Sequence, residues 1–551
     1  MKKNLVVPSI VTVVGLYAIL TTVLILIALM TRMPISFALI LSVVFTIIHF
    51  LIAPALNDFI FKIFYKCRFD AQIPDYVREF IEQSCMNHDM KYPKIGVIDD
   101  GSPNAFTYGR TKNDARVVFT RGLLEILTPE EVKAVIAHEL GHANHYDMLF
   151  MTVAQIVPLL LYAIAQIFLD VGRSGRSRSR SSSSNNSGNY GALIGLIAYF
   201  LYFISEYIIL WLSRAREYYA DSFAIEETKD PQSLAKALVK IGFGLAVGEK
   251  NENSKSKGRA NSRNALGIND AKISKGMAIS SFNNGTVSKE GIVNAMKWEK
   301  WSPWAKLYEL NSTHPLISKR ILAISDRCEE FGQERYIEFN EVKKESYVDD
   351  FLREILICAL PIVIFIAYAI VLIANVPTFN NRTPMQPFYI TTGVFGIAFV
   401  FSLFLKLRKT HRNKGYKETT VRDLVGQVKV SNVTSIPCIL KGRIIGRGNP
   451  GCVFNEDFVL QDETGIMFLD YNQPLYIMNK LSAFLNSNNI IDNEVTVKGW
   501  YRRNTAPYVE IYSMECNGKT KKCHTYKTTK VLLYLLLAGS AFVLLKGIIG
   551  F

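Results

Sequence analysis

The stretch Thr128–His142, TPEEVKAVIAHELGH, decides how the rest of the sequence is interpreted. Thr128 can cap a helix, Pro129 suits the first helical position, and Glu131 stands three residues after the cap, which together form a capping box. Val132–Ala137 is apolar apart from one lysine, a pattern typical of a buried helix. The stretch therefore predicts a well-capped, buried helix that ends in a pair of histidines.

His138 and His142 are four residues apart, so their side chains share a helix face and can bind one zinc ion together. Glu139 points away from that ion and is placed to accept a proton from a zinc-bound water, whose pKa the metal lowers towards about 7. Three of the eight histidines, His138, His142 and His145, lie within eight residues, so chance explains the motif poorly. His145 is expected outside the ligand set, as a polar surface group or a group that contacts a ligand. The pattern predicts metal-assisted peptide hydrolysis.

A third protein ligand is expected, because a catalytic zinc usually takes three and leaves its fourth position to water. The segment Ser213–Asp221, SRAREYYAD, supplies the best candidate. Glu217 and Asp221 share a helix face, so Glu217 can reach the metal while Asp221 accepts a hydrogen bond from an imidazole N–H. The alternative is a helix beside the membrane in which Arg214 and Glu217 form an ion pair.

Seven apolar stretches predict that much of the chain lies in a membrane. The chain has 551 residues, of which 49% are apolar and 20% charged, with a formal charge of +15. This composition excludes a disordered chain and a small disulfide scaffold, and the eight cysteines contain no C-x-x-C pair, so free thiols are expected. Since about 20 apolar residues cross a bilayer, the predicted spans are Ile10–Met30, Ile35–Leu56, Met148–Leu169, Gly191–Leu212, Ile355–Ala374, Phe388–Leu405 and Val531–Phe551.

Lysines and arginines gather after the second, fourth and sixth stretches and before the seventh. Such loops usually lie in the cytoplasm, which predicts a cytoplasmic N-terminus. The arginine-rich tract Gly172–Asn189 would then lie outside if the third and fourth stretches both cross. Either this short loop is tolerated, or that pair forms a hairpin that does not fully cross.

The two motifs HELGH and SRAREYYAD together resemble those of the HtpX family of integral-membrane zinc endopeptidases, relatives of the membrane CAAX prenyl proteases. The similarity covers about residues 1–330. It implies a zincin-like domain that faces the cytoplasm beside the membrane. It also implies one Zn²⁺ per chain, bound by His138, His142 and Glu217, with Glu139 as the catalytic base.

The segment Asn104–Gly109, NAFTYG, is similar to the edge strand of that family, which lies along the peptide substrate. The resemblance implies that Asn104, Ala105 and Phe106 bind substrate. An extended peptide can add to a strand edge through backbone hydrogen bonds, which tolerates many sequences. The alternative is that Asn104 merely ends a turn.

The segment Ser312–Pro315, STHP, with Arg320 five residues after the proline, resembles another family motif. Its counterparts lie near the cleft, which implies a catalytic role for His314 and Arg320. A donor or cation there would oppose the charge that develops on the scissile carbonyl oxygen. The alternative is a helix start with a capping histidine.

The sequence from Tyr347 onwards adds segments that a minimal HtpX protein lacks. Short strand-like runs between Val421 and Cys516 predict a small antiparallel barrel of the OB type. Such barrels often bind single-stranded nucleic acid, and Trp500–Arg503 is aromatic and basic. Because the module is tethered between spans, we favour surface residues that face anionic lipid or a partner, and expect no nucleic acid.

Two further features stay open at this point. Glu249–Lys275 is polar and is expected to form a mobile loop, either without function or as a lid or self-cleavage site. Glu206, inside the fourth apolar stretch, is either a functional carboxylate in the membrane or a group that faces the protein interior.

The expected fold class is a multi-span α-helical membrane protein with a cytoplasmic, mostly α, zincin-like catalytic domain and a small C-terminal β-barrel. We expect an endopeptidase of the cell membrane whose partners are the lipid bilayer and protein or peptide substrates near it, with a quality-control role implied by the resemblance. The rivals are a selective CAAX-type processing protease and a non-catalytic scaffold that acts through the barrel. The expected divisions are two spans (1–56), the first catalytic part (57–147), a hydrophobic hairpin (148–212), the second catalytic part (213–350), two spans (351–406), the β-rich module (407–530) and a final span (531–551).

Overall fold

A computed structural model describes most of the chain. The described residues are 6–31, 35–101, 103–178, 187–248, 282–283, 286–343, 345–375, 385–447, 458–474, 490–504 and 507–550. The predicted loop Glu249–Lys275 and the middle of the arginine-rich tract, 179–186, lie outside them.

Helices make up most of the described structure, as the long apolar runs predict. They are α1 (Val6–Thr31), α2 (Ile35–Phe64), α3 (Asp75–Asn87), α4 (Arg121–Ile126), α5 (Pro129–Asn144), α6 (Asp147–Arg178), α7 (Ser187–Thr228), α8 (Pro231–Gly248), α9 (Lys289–Trp301), α10 (Pro303–Leu310), α11 (Ile317–Asp326), α12 (Val348–Asn375), α13 (Gln386–Thr410), α14 (Val421–Val425) and α15 (Thr525–Ile549). Short 3₁₀ turns cover Lys112–Asp114 and Cys328–Phe331.

The strands form one small sheet before α5, a short hairpin, and a larger group in the C-terminal part of the chain. They are β1 (Lys94–Ile98), β2 (Ala105–Gly109), β3 (Ala115–Thr120), β4 (Phe282–Asn283), β5 (Thr286–Val287), β6 (Lys417–Glu418), β7 (Ile436–Arg447), β8 (Phe458–Gln461), β9 (Ile466–Asp470), β10 (Glu494–Arg503), β11 (Pro507–Cys516) and β12 (Lys519–Lys522). The strand expected at Asn104–Gly109 and the strand-like runs expected between Val421 and Cys516 are present.

Six helices among the described residues are long and apolar enough to cross a membrane, and they coincide with six of the seven predicted spans. The remaining prediction, Ile35–Leu56, lies within α2, where the structure leaves several side chains undescribed. Many large apolar side chains on these helices are exposed, as expected of surfaces in contact with lipid. The six segments are Ser9–Ala28, Asp147–Asp170, Ala192–Thr228, Val348–Ala374, Gln386–Thr410 and Thr525–Ile549.

The described residues fall into two units, and the first consists of those up to Gly248 together with Glu309–Glu338. Its sheet has the order β1-β3-β2, with β1 parallel and β2 antiparallel to β3, so β2 is an edge strand. The apolar side of α5 is fully buried, and α5 packs against β2, α7 and α8. The histidine helix therefore lies between an edge strand and the helix that carries Glu217.

The second unit consists of the described residues from Phe282 to Tyr308 and from Phe339 onwards, and it contains the predicted barrel. Five strands close in the order β7-β8-β9-β11-β10, and β10 pairs back onto β7. The prediction of a purely antiparallel barrel is wrong at one position, because β9 and β11 pair in parallel.

The residues Trp500–Arg503 do not form an exposed groove. Trp500 and Tyr501 are buried in the barrel, and the Trp500 indole donates to the carbonyl oxygen of Arg412 at 3.0 Å. The Arg503 guanidinium lies 4.5 Å from the ring centre of Trp298 and donates to the carbonyl oxygen of Val425 at 2.7 Å. Both earlier interpretations of this segment, nucleic-acid stacking and surface residues that face anionic lipid or a partner, are therefore wrong, because its side chains are buried.

Candidate metal centre

The N-terminus of α5 is fixed by the predicted capping box. The Thr128 hydroxyl accepts from the backbone N–H of Glu131 at 3.4 Å, and the Glu131 carboxylate accepts from the backbone N–H of Thr128 at 2.9 Å. The Lys240 ammonium of α8 donates to the same carboxylate at 2.8 Å. These bonds satisfy donors that a helix start leaves free and anchor the helix that carries the histidines.

His138, His142 and Glu217 converge on one point. The Nε2 atoms of the two imidazoles are 3.2 Å apart, and each lies 3.6 Å from a Glu217 carboxylate oxygen. One ligand atom from each residue lies within 4.8 Å of the other two. Two imidazoles and a carboxylate are a donor set that suits a catalytic zinc, with room for a fourth ligand.

The close approach of α5 to α7 depends on Gly141. A Cβ atom at this position would lie 3.1 Å from the Phe223 Cβ and 3.2 Å from the Ala220 Cα, tighter than ordinary contact. Ala220 is one turn from Glu217 on the same helix. The absence of a side chain at Gly141 therefore lets Glu217, the third candidate ligand, reach the two histidines.

The outward-facing nitrogen of each imidazole meets a buried carboxylate. Asp221 Oδ1 lies 3.0 Å from Nδ1 of His138, and Asp147 Oδ2 lies 2.7 Å from Nδ1 of His142. A carboxylate in this position fixes the ring orientation and the tautomer in which Nε2 is free to bind a metal. Each of the two candidate ligand histidines is thus oriented by a carboxylate at its Nδ1 atom.

Each of these carboxylates is in turn held by a buried arginine. Arg320 donates to both oxygens of Asp221, from Nη2 at 2.6 Å and from Nε at 2.9 Å. Arg216 Nη2 lies 2.7 Å from Asp147 Oδ1, and its Nη1 donates to the Asp147 carbonyl oxygen at 3.2 Å. The result is two similar chains of contact, arginine to aspartate to histidine, on either side of the candidate site.

The buried setting shifts the pKa of the groups on α5. Burial, which disfavours a carboxylate, raises the pKa of Glu139 above its ordinary value and so makes it a stronger base. For His138, burial disfavours the charged ring, but the hydrogen bonds to Asp221 and Glu217 prevail and raise its pKa to about 9. The surroundings of His138 therefore favour a positive charge at this position.

His314 and Arg320 both lie beside Glu217. His314 Nε2 is 3.6 Å from Glu217 Oε1, and the segment before it is anchored by Arg214, which donates to the Glu309 and Ser312 carbonyl oxygens at 2.8 Å. Arg214 is thus engaged with backbone carbonyls, and the alternative ion pair with Glu217 is not among the described contacts. Arg320 Nη1 lies 3.2 Å from Glu217 Oε2 and is fully buried.

The remaining predicted residues are placed as follows. Asn104, Ala105 and Phe106 are buried at the start of the edge strand, and the Asn104 carbonyl oxygen accepts from the Thr120 backbone N–H at 2.9 Å. His145 caps the C-terminus of α5 and is not in the metal cluster, as expected. Seven described cysteines are free thiols, as the absence of paired motifs predicts.

A model of peptidase family M48 matches residues 70–328. A protease HtpX homologue from Methanothermobacter thermautotrophicus is 31% identical over 199 residues, which cover 36% of this chain and 70% of the relative. The chain belongs to the HtpX family of M48 peptidases. The Aeropyrum pernix HtpX homologue is 28% identical over 281 residues, 51% of this chain and 82% of the relative, and the one from Bacteroides fragilis strain YCH46 is 34% identical over 166 residues, 30% of this chain and 52% of the relative.

The HtpX and M48 membership makes this chain a membrane metalloprotease with a metal cofactor. The crystal structure of S. mikatae Ste24p is also similar, at 20% identity and a TM-score of 0.33, over 58% of this chain and 66% of that one. A TM-score of this size does not by itself establish a common fold. The M48 match ends at Cys328, so the barrel and its flanking helices lie beyond it.

Sequence reasoning missed Asp147 and Arg216 as parts of the site. Asp147 follows His142 by five residues and directly precedes an apolar run, where a carboxylate is costly unless it has a partner. Arg216 directly precedes Glu217. The signal that could have linked them is that a negative charge, Asp147, lies close to the ligand His142 and a positive charge, Arg216, lies beside the ligand Glu217.

Proposed function

We propose that the chain is a zinc-dependent endopeptidase that cuts membrane proteins or segments near the membrane. The observation that carries this proposal is the convergence of His138, His142 and Glu217, with Glu139 on the same helix. Two histidines and one glutamate match the donor set of catalytic zinc, and the family membership supplies the protease activity. We further propose one Zn²⁺ per chain and a zincin-like catalytic domain.

The proposed mechanism assigns the proton transfers to Glu139. A bound Zn²⁺ would polarise the scissile carbonyl and acidify the attacking water. The Glu139 carboxylate, with its pKa raised by burial, accepts the proton of that water and passes it to the leaving amine. The His314 imidazole, beside Glu217, is placed to donate to the oxygen that becomes negative.

We propose that substrate binds along β2. This strand is at the edge of its sheet in the described residues and packs against α5, so a peptide added there would lie beside the histidine helix. Backbone groups of the Asn104–Phe106 segment that do not pair with β3 would hold the peptide without reading many of its side chains. Broad specificity, suited to quality control, follows from this mode of binding.

We propose that the site faces the cytoplasm beside the cell membrane. The basic residues Lys62, Lys66 and Arg68, directly after the second apolar stretch, support this orientation. The continuity of α7 supports the placement beside the membrane, because one helix runs from an apolar stretch through Glu217. Cysteine labelling of Arg68→Cys in intact cells, measured against the protein without this substitution, would check the side: a membrane-impermeant maleimide should add a label at this position only after the cells are opened.

The decisive experiment compares Glu139→Gln with the wild type in zinc content and casein hydrolysis. We expect one zinc per chain in both proteins and a loss of hydrolysis of about 10²–10⁴-fold in the variant, the usual contribution of a general base. Glu130→Gln is the matched control, because Glu130 is exposed at the start of the same helix. Undiminished cleavage by Glu139→Gln, or purified protein without zinc, would refute the proposal.

A further inference from the structure

A cavity of about 950 Å³ lies where the ends of two membrane helices of the second unit meet the chain that leads to the barrel. The C-terminal end of α13 and the N-terminal end of α15 form its walls, and these helices pack closely along their length. Five cationic side chains line the cavity: Arg408, Lys409, Arg412, Lys414 and Lys530. No aspartate or glutamate is among its described lining residues.

The apolar side chains that line the cavity belong to the membrane helices. Phe401, Phe404 and Tyr534 lie on the spans, with the rings of Phe404 and Tyr534 5.1 Å apart, and Ile357 of α12 adds to this wall. The cations lie at and beyond the ends of those helices, where the bilayer gives way to water. The cavity thus changes from apolar to cationic along the direction in which a lipid changes from acyl chain to headgroup.

The positive charge at this cavity is not neutralised by the protein. Across the described residues, none of the five cations lies within ion-pair distance of a carboxylate. The nearby Glu510 is already bound, by Arg502 Nη2 at 2.7 Å and by His411 Nε2 at 3.0 Å. Five cations without a carboxylate partner around one cavity repel each other, and an anion among them would relieve that repulsion.

We propose that this cavity binds an anionic phospholipid, with the headgroup phosphate among the five cations and an acyl chain against the Phe401, Phe404 and Tyr534 wall. The apolar wall favours a lipid over free phosphate, because a phosphate ion would leave that wall without a partner. Basic pockets between membrane helices bind anionic headgroups in this manner. The site lies outside the M48 match and does not depend on the proposed catalysis.

The test is a lipid titration of the full-length protein in a zwitterionic detergent, followed by native mass spectrometry. Phosphatidylglycerol is the probe, and phosphatidylcholine and glycerol phosphate are the comparison ligands. The variant Arg408→Gln/Arg412→Gln/Lys530→Gln removes three of the five cations. Because each cation near a membrane surface contributes about a fivefold change in binding, we expect about a hundredfold weaker phosphatidylglycerol binding.

Two control proteins make the result specific. Lys417→Gln/Lys519→Gln/Lys522→Gln removes three exposed charges of β6 and β12, the strands that flank the barrel outside the cavity, and should leave lipid binding within about twofold. Arg408→Lys/Arg412→Lys/Lys530→Arg keeps the charges and should retain binding, which would show that a loss in the glutamine variant reflects charge and not misfolding. Casein hydrolysis should be unchanged in all of them.

Three results would overturn the proposal. Equal binding of phosphatidylcholine would mean that the cations do not select the ligand. Binding of glycerol phosphate as tight as that of the lipid would identify a soluble anion as the occupant. An equal loss of binding in the barrel control would show attraction by overall charge and not by this cavity.

Discussion

The aspartate behind the second histidine provides a sharp test of how the metal centre is built. Asp147→Asn keeps the size of the side chain and removes its charge. The asparagine oxygen can still accept a hydrogen bond from His142 Nδ1. The asparagine amide nitrogen then faces the Arg216 guanidinium, so two hydrogen-bond donors meet in place of an ion pair of 2.7 Å. The substitution therefore weakens the orientation of His142 and leaves Arg216 without its carboxylate.

The magnitude follows from the burial of this pair. Loss of a residue that orients a metal ligand typically weakens metal binding about 10–100-fold, or about 1.4–2.7 kcal/mol. The Arg216 side chain is only 2% exposed, and breaking a buried ion pair costs about 3–5 kcal/mol of stability. For a domain of about 150–250 residues, a loss of about 3–5 kcal/mol corresponds to a melting temperature lower by about 6–20 °C.

The assay has two readouts on purified full-length protein. Zinc affinity is measured by competition with a chelating dye, and unfolding is followed by circular dichroism during heating. In the double variant Asp147→Asn/Arg216→Met no buried charge is left unpaired, so its melting temperature should lie above that expected from the two single variants. Zinc affinity should remain low in the double variant, because the charge behind His142 is still missing.

The control is Asp75→Asn, since Asp75 lies exposed at the start of α3 and its ion pair with Arg78 is long, at 3.9 Å. It should match the wild type in both readouts. If Asp147→Asn binds zinc within about twofold of the wild type and melts at the same temperature, the carboxylate does not orient the ligand. The paired arrangement described for the two histidines would then be a coincidence of packing.

Two further predictions concern the second unit. Because His411 and Arg502 outweigh burial and hold the pKa of Glu510 below its ordinary value of 4.5, this carboxylate stabilises the fold above that pH and ceases to do so as the pH falls through its folded-state pKa. The melting-temperature difference between the wild type and Glu510→Gln should thus shrink from about pH 6 to about pH 3, and a constant difference would contradict this account. A Cβ at Gly393 of α13 would lie 2.5 Å from the Leu544 Cβ of α15, so Gly393→Val should lower the free energy of unfolding by about 1–3 kcal/mol, whereas Gly539→Val, on the same helix pair with open space around it, should have little effect.

The sequence was sufficient for those parts of the molecule that local rules determine. The capping box of α5, the apolar helices and the strands of both sheets follow from periodicity and turn residues within a few positions of each other. The grouping of His138 with His142 is also local, because helix geometry fixes residues four apart. Glu217 was the best candidate for the third ligand from its helix face shared with Asp221, but no rule of spacing joins it to residues separated by a hydrophobic insertion of this length, and the family resemblance supplied that link.

The sequence was insufficient where a residue type has two opposite uses. Trp500–Arg503 has the composition of a nucleic-acid or lipid surface, yet Arg503 is buried because two carbonyl oxygens and an aromatic face satisfy its guanidinium. Arg320, for which the resemblance implied a catalytic role, is buried for the same reason, since two buried carboxylates, those of Glu217 and Asp221, compensate its charge. Partners far away in the chain decide whether an arginine is exposed, and composition does not reveal them.

The membrane helices contribute directly to the metal centre, and this explains why the hydrophobic insertion lies between the ligands. Asp147, which orients His142, is the first residue of α6, and Glu217 and Asp221 lie near the end of α7. The two helices pack against each other along much of their length. Any sliding of α7 along α6 would therefore move Glu217 relative to His142, so the packing of two membrane helices fixes the distance between the ligands. A protease built this way has an active site only while those helices are correctly packed.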